Sequence, residues 1–142
     1  MEKFKFTVLG KPLGKQRIRV TRQGISYTPK ETVNYENYIK EMFIYSGGKM
    51  LEGAIGLTIT AYLYIPKSTS KVKREKMLAG IIPAAKRPDG SNILKAVEDS
   101  LNKIAYKDDS QITELAVHKK FGNEPKLEIE LKELANDWVL KN

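Results

Sequence analysis

From Lys3 to Leu9 apolar and polar residues alternate, with Phe4, Phe6 and Val8 on one side and Lys3, Lys5 and Thr7 on the other. A period of two predicts a strand with one buried face. Gly10-Lys11-Pro12-Leu13-Gly14 breaks the alternation into a loop. The β-favouring residues from Ile18 to Tyr27, around Gln23-Gly24, fit an extended ribbon or hairpin. Thr28-Pro29-Lys30-Glu31 then has the form of a capping box with proline at the first helical position. The helix it opens runs to about Tyr45 and stops at Gly47-Gly48, with Val33, Tyr35, Tyr38, Ile39, Met42 and Phe43 at helical spacing.

Further along, Ile55, Leu57, Ile59, Ala61, Leu63 and Ile65 alternate with smaller or polar residues, the clearest strand in the chain, and Pro66 ends it. Ser70 is placed to cap a short helix from Lys71 to Ala79, closed by Gly80. A second long helix is predicted from Asn92 to Ile104, where Ile93, Val97, Leu101 and Ile104 form one stripe and Asn92, Lys95 and Asp99 lie opposite. Two strands follow, one turning Leu115, Val117 and Phe121 inward and the next Leu127, Ile129 and Leu131. Gly122-Asn123-Glu124-Pro125 between them predicts an antiparallel hairpin. The tail from Glu133 to Asn142, with Trp138, is expected to dock as a terminal helix. This order predicts an α+β fold, a small mixed β-sheet packed against two main helices, in a single domain over residues 1–142.

Composition narrows the chemistry. The absence of cysteine excludes a disulfide framework, a thiolate metal site and a cysteine nucleophile. No apolar run approaches the ~20 residues of a membrane helix, and Met-Glu-Lys-Phe-Lys-Phe lacks the apolar stretch of a signal peptide. No membrane partner and a cytoplasmic setting are the expectations. Of the net charge of +8, residues 1–22 contribute +6 and residues 67–87 another +6, on a remainder of −4. Two basic blocks on a mildly acidic body have the form of a polyanion footprint, with a solvated basic surface as the plain alternative. Lys11, Lys15, Arg17 and Arg19 in the first block, and Lys71, Lys73, Arg74, Lys86 and Arg87 in the second, are the candidate phosphate contacts. The segment Lys67–Lys76 either clamps nucleic acid or stays a flexible arm. The tyrosines of the first helix either stack on bases or fill the core, and their spacing favours the core.

Two segments carry candidate chemistry. Arg87-Pro88-Asp89-Gly90 predicts a type I turn, and Ser91 stands where a helix N-cap belongs. Asp89 then lies beside a helix start, which by itself a macrodipole explains, while Asn92 and Lys95 project from the first helical turn. Tyr106-Lys107-Asp108-Asp109-Ser110-Gln111 places two adjacent carboxylates between helix and strand, either an acidic turn or ligands for a hard cation. Together Asp89, Asp108 and Asp109 could hold Mg²⁺ against a scissile phosphate, with Lys95 near the developing charge and Lys86 and Arg87 guiding the backbone in.

These motifs resemble the RusA family of Holliday junction resolvases, many of them encoded by phages and prophages. The family pattern has a basic residue, Pro-Asp-x-Asp-Asn-x-x-Lys, a helical Asp-Ala/Ser-Leu, and then a hydrophobic-x-Asp-Asp-x-Gln segment. This chain has Arg87-Pro88-Asp89-Gly90-Ser91-Asn92-Ile93-Leu94-Lys95, then Asp99-Ser100-Leu101, then Tyr106-Lys107-Asp108-Asp109-Ser110-Gln111. Gly10-Lys11-Pro12, Lys15-Gln16-Arg17 and Tyr27-Thr28-Pro29 also look like the family's N-terminal pattern, so the likeness runs from about residue 4 to 132. The resemblance implies a homodimer that binds four-way junctions and other branched DNA by shape. It also implies paired cuts by Mg²⁺-dependent hydrolysis, with Mn²⁺ as a substitute. It maps catalytic acids onto Asp89 and Asp109 and an essential lysine onto Lys95.

One position departs: Ser91 stands where the family usually has a second acid. Its hydroxyl can orient water or ligate weakly, but it brings no charge. Either Asp108 or Asp99 compensates, or the protein binds branched DNA without cutting it. A second constraint is geometric. A helix of 13 residues is roughly 20 Å long, and Asp89 precedes it while Asp109 follows it. Either the loop Ala105–Asp109 folds back along the helix, or a dimer pairs one subunit's Asp89 with its partner's Asp109. The lack of a Gly-rich phosphate loop argues against a nucleotide phosphotransferase, and lone His118 is read as structural.

Overall fold

A computed structural model describes residues 3–134. The expected terminal helix with Trp138 lies outside the described residues. The chain runs β1 (Lys3–Leu9), β2 (Arg19–Val20), β3 (Ser26–Tyr27), α1 (Lys30–Tyr45), β4 (Ile55–Tyr64), α2 (Lys71–Leu78), α3 (Gly90–Leu101), a 3-10 turn (Asp109–Gln111), β5 (Ile112–Gly122) and β6 (Lys126–Glu133). The expected α+β domain is present: a mixed four-stranded sheet with α1 and α3 on one face, and a separate two-stranded ribbon of β2 and β3.

Sheet order is β1-β6-β4-β5, with β4 parallel to β5 and antiparallel to β6. The expected β5–β6 hairpin is therefore corrected, because β4 lies between its two arms. The chain does reverse at residues 123–125, but it crosses the end of β4 to do so, where Tyr64 pairs with Gly122 and Tyr62 with Lys126. Pro66 makes room by taking the chain out of the sheet. A turn signal marks a reversal and says nothing of which strand fills the gap. β4 takes the centre because its inward row, Ile55, Leu57, Ile59, Ala61 and Leu63, is wholly buried.

The core forms where this row meets Phe6, Val8, Leu127, Ile129 and Leu131 of the sheet and the stripes Ile39/Phe43 of α1 and Ile93/Val97/Leu101 of α3. Phe4, Phe6 and Phe43 make edge and stacked contacts at 5.5–5.9 Å between centroids. Tyr35 is buried and the Tyr38 hydroxyl donates to the Leu9 carbonyl at 2.9 Å, so both belong to the packing of α1. The opposite face of the sheet is polar, carrying the pairs Lys3–Glu130, Lys5–Glu130 and Lys126–Glu128.

Local signals divide. Ser70 caps α2 by accepting from the Lys73 amide at 3.3 Å, and Gly80 at φ +79° follows its end, as expected. The expected capping box at Thr28–Glu31 does not form: α1 starts with Pro29 at the cap position and no side-chain cap. A proline cap has no side-chain acceptor to offer. β5 is an edge strand: Leu115 shares the inward face opposite Leu57 as expected but is left 51% exposed there, while Val117 packs against the core. Replacing Ile59 with Ala is expected to cost about 2–5 kcal/mol in urea unfolding, whereas Leu115→Ser is expected to stay within about 0.5 kcal/mol of the parent.

Candidate active site

The first site element is the approach to α3. Asp89 occupies the cap position with extended backbone, φ −66° and ψ 141°, after a cis Arg87–Pro88 peptide. Its carbonyl accepts from the Asn92 and Ile93 amides at 3.1 and 3.0 Å. Two expectations change here. The type I turn over Arg87–Gly90 does not form, since Gly90 is already helical and Asp89 is extended rather than in the right-handed region that such a turn needs. Ser91 is not the cap but an exposed residue of the first turn. Asp89, Asn92 and Lys95 are exposed with it.

The loop after β1 lies across this helix start. Lys15 donates its amide to the Asn92 carbonyl at 2.9 Å. A Cβ on Gly14 would come within 2.9 Å of Asn92 Cβ and 3.3 Å of Pro88 Cβ, so glycine permits the approach. Between loop and helix lies a cleft of about 410 Å³ lined by Lys11, Gln16, Arg87, Asp89 and Asn92. A neighbouring hollow of about 620 Å³ shares Lys11 and Arg87 and adds Tyr64 and Lys86. Asp89 thus sits in a basic setting on the protein surface.

The other basic candidates separate by what they touch. Arg17 and Arg19 on the ribbon side, and Lys71 and Lys73 on α2, are exposed. Lys86 Nζ donates to the Tyr64 carbonyl at 3.1 Å and lies 5.7 Å from the Phe121 ring centre, and Arg74 donates to the Pro66 carbonyl at 3.3 Å. Lys15 turns inward, its ammonium bonded to Asp99 at 2.5 Å and Glu36 at 3.1 Å. Burial alone would lower its pKa. The hydrogen bonds and charges of Asp99 and Glu36 outweigh burial and raise it. Lys15 therefore ties the loop to α1 and α3, and two carboxylates already occupy its charge.

The second element lies beyond the far end of α3. The helix stops at Leu101, three residues before the expected Ile104, because Asn102 is extended and Lys103 takes φ +73°. Tyr106 is buried and its hydroxyl donates to the Glu98 carbonyl at 2.7 Å, which holds the loop against the last turn. Asp108 accepts from the Ser110 amide at 3.0 Å, while Gln111 Oε1 accepts from the Lys107 and Asp108 amides at 2.8 and 3.2 Å. Gln111 Nε2 donates to the Leu51 and Gly53 carbonyls at 3.3 and 3.0 Å. This is a capping box with a tether to the β4 approach. The bonds to Ser110 hold the Asp108 carboxyl below its usual range. Among the described residues no hydrogen bond or ion pair engages the carboxylates of Asp89 and Asp109.

Asp109 instead raises the energy of its neighbours. Burial raises the Glu98 pKa, and the charges of Asp109 and Asp99 raise it further against a smaller opposing effect from Lys95. Asp109 is thus near enough to Glu98 for its charge to act there, and the Tyr106–Glu98 bond shows that the loop folds back on the last turn of α3. Ten residues separate Asp99 from Asp89, roughly 15 Å of helix. No group of three or more acids or histidines among the described residues is arranged to hold a metal ion. The two free carboxylates suit Mg²⁺ chemically, as exposed hard oxygen donors.

Sequence reasoning missed Glu98, Glu36 and Lys119. The Lys119 ammonium donates to the carbonyls of Lys86 at 2.6 Å and Pro88 at 3.1 Å. Its signal was a lysine in register with Val117 and Phe121 on an inward row.

The electrostatics make two stability tests. Glu98 has a raised folded pKa, so its ionisation costs stability as pH rises through that range, and the cost is absent below the ordinary value of 4.5. Glu98→Gln is expected to raise the melting temperature at pH 7 and to leave it unchanged near pH 3.5. Asp108 has a depressed pKa, so its contribution is present above 3.8 and is lost as pH falls through the folded value. Asp108→Ala is expected to lower the melting temperature at pH 7, and Asp109→Ala not to lower it.

The family described as Endodeoxyribonuclease RusA matches residues 10–132 of the chain. The chain is also 32% identical over 141 residues to the protein described as "Uncharacterized protein YqaN" of Bacillus subtilis (strain 168), covering 95% of this chain and 99% of that one. The match takes in the basic loop, the Asp89 approach, α3 and the Asp108–Gln111 box. The chain belongs to the RusA endodeoxyribonuclease family.

Proposed function

We propose that the protein is a structure-selective endodeoxyribonuclease that resolves four-way DNA junctions as a homodimer, with Mg²⁺, or Mn²⁺ in its place, as cofactor. The observation that carries this reading is the pair of unengaged carboxylates, Asp89 and Asp109, at the two ends of α3 in a chain of this family. Roughly 15 Å of helix separates Asp89 from Asp99, whose neighbour Glu98 feels the charge of Asp109, and this favours a composite site: one subunit's Asp89 facing its partner's Asp109. An isologous dimer makes two such sites.

In the hydrolysis, a water oxygen bonds to the phosphorus as one P–O ester bond breaks, and the departing sugar oxygen gains a proton. Asp89 and Asp109 would hold the cation, which supplies positive charge for the phosphoryl oxygens and makes nearby water more acidic. Lys95, exposed one turn into α3, reaches the phosphate as its charge develops. Lys11 and Arg87 line both hollows beside Asp89 and would position the backbone. Arg17, Arg19, Lys71 and Lys73 extend the same contact outward.

A second reading, branched-DNA binding without cleavage, is favoured by Ser91, which brings no charge beside Asp89, and by the capping role of Asp108. Nicking of a synthetic four-way junction separates them. The nuclease reading expects cleavage that needs Mg²⁺ and falls at least about 100-fold in Asp89→Asn, in Asp109→Asn and in Lys95→Met. Binding without cleavage in any divalent metal would establish the second reading. Ser91→Asp is expected to lower the Mg²⁺ concentration needed for half-maximal cutting.

Mixing subunits tests the composite site. A heterodimer of Asp89→Asn and Asp109→Asn chains keeps one site with both acids if the site is shared, and nicks one strand. If each site belongs to one subunit, both sites are broken and mixing restores nothing.

A further inference from the structure

We infer that Lys119 is a positioning residue for Asp89, acting through the backbone of the segment Lys86–Pro88; this inference rests on the proposed nuclease reading. Lys119 lies on β5 in register with Val117 and Phe121, at the two-residue spacing that puts all three on one face of the strand. Each of the three meets the approach to α3. A Cβ on Gly90 would contact Val117 Cγ1 at 3.6 Å. Phe121 lies 5.7 Å from the Lys86 ammonium. Between them, Lys119 donates to the Lys86 carbonyl at 2.6 Å and to the Pro88 carbonyl at 3.1 Å.

Two carbonyls on either side of Arg87 thus converge on one half-buried cation. With these carbonyls drawn toward β5, Arg87 and Asp89 line the cleft on the side of Lys11 and Gln16. Bonds from a charged donor are stronger than neutral ones, and these two add to the bond from the Lys86 ammonium to the Tyr64 carbonyl. Asp89 makes no side-chain cap bond, and no hydrogen bond within the turn closes Arg87–Gly90. Lys119 anchors the backbone on both sides of Arg87. It is spent on backbone, unlike Lys120, which is exposed on the other face of the strand.

Groups that orient a metal-binding residue typically affect metal affinity or activity about 10–100-fold when removed. The test compares Lys119→Met, Lys119→Arg and the charge-matched control Lys120→Met, using hydrogen–deuterium exchange, junction affinity and cleavage. In metal-free protein, Lys119→Met is expected to speed amide exchange in residues 84–93, with β4 and β6 unchanged. Its junction affinity without divalent metal is expected to stay within about twofold of the parent, while the Mg²⁺ needed for half-maximal nicking rises about 10-fold or more. Lys119→Arg keeps a charged donor and is expected to recover most of both effects, and Lys120→Met to show neither.

Unchanged exchange in residues 84–93, or an unchanged Mg²⁺ requirement, overturns the inference. So does a junction affinity that falls with the Mg²⁺ requirement intact, since Lys119 would then be a phosphate contact. If Lys119→Met is unfolded, the comparison rests on Lys119→Gln, which keeps one neutral donor and is expected to fall between Met and Arg. Failure of the underlying reading looks different: the parent protein itself would then nick no junction in any metal.

Discussion

Helix α3 holds the functional residues apart, and its burial makes that separation rigid. Ile93, Ala96, Val97, Ser100 and Leu101 are all buried on it, and its inward stripe meets the row of β4 that fills the middle of the sheet. A helix seated this way can neither tilt nor shorten without opening the core, because interiors are close-packed. Asp89 before its start and Asp109 beyond its end therefore keep a spacing set by backbone geometry. On the proposed reading, a nuclease site built from both is completed from outside the protomer.

The electrostatic design follows from the same rod. Positive charge gathers at its start, where Lys11 and Arg87 line two hollows beside Asp89. Negative charge gathers near its end, where burial and then the charges of Asp109 and Asp99 raise the Glu98 pKa. Lys15 links the two regions, with its amide on Asn92 and its ammonium between Asp99 and Glu36. The acidic charge that Lys15 does not meet, on Glu98 and Asp109, is costly for a lone protomer. A cation or a basic surface brought against it would lower that cost, so the region is better suited to a bound state than to a free one.

Much of this was legible in the sequence, for physical reasons. The alternation in β1 and β4, the stripe of α3 as far as Leu101 and the Ser70 cap are local patterns, and each formed where the sequence placed it. What failed was non-local or shared. The turn after Gly122 could not reveal that β4 would lie between β5 and β6. Thr28 and Ser91 had the residue type of caps, but Pro29 and Asp89 took those positions once packing set where each helix began. In the site, Asp89, Lys95 and Asp109 were legible as exposed groups. That Lys15 turns inward, and that Asp108 serves Ser110, depended on partners distant in sequence or on the local fold of the loop.

The difference between Asp108 and Asp109 bears on what Ser91 means. With Asp108 committed to a cap and Ser91 uncharged, the motif acids left unengaged among the described residues are Asp89 before α3 and Asp109 after it. That is a low count for a dedicated cage but an ordinary one for Mg²⁺, which keeps several waters and commonly takes one or two carboxylates together with substrate phosphate. Such a site would hold its cation weakly before DNA arrives and more firmly once a phosphate adds its oxygens. The loss of an acid at position 91 would then act on metal affinity in the free protein more than on the chemistry of the bound complex. A chain lacking that acid can remain a nuclease, provided that its few remaining carboxylates are held accurately.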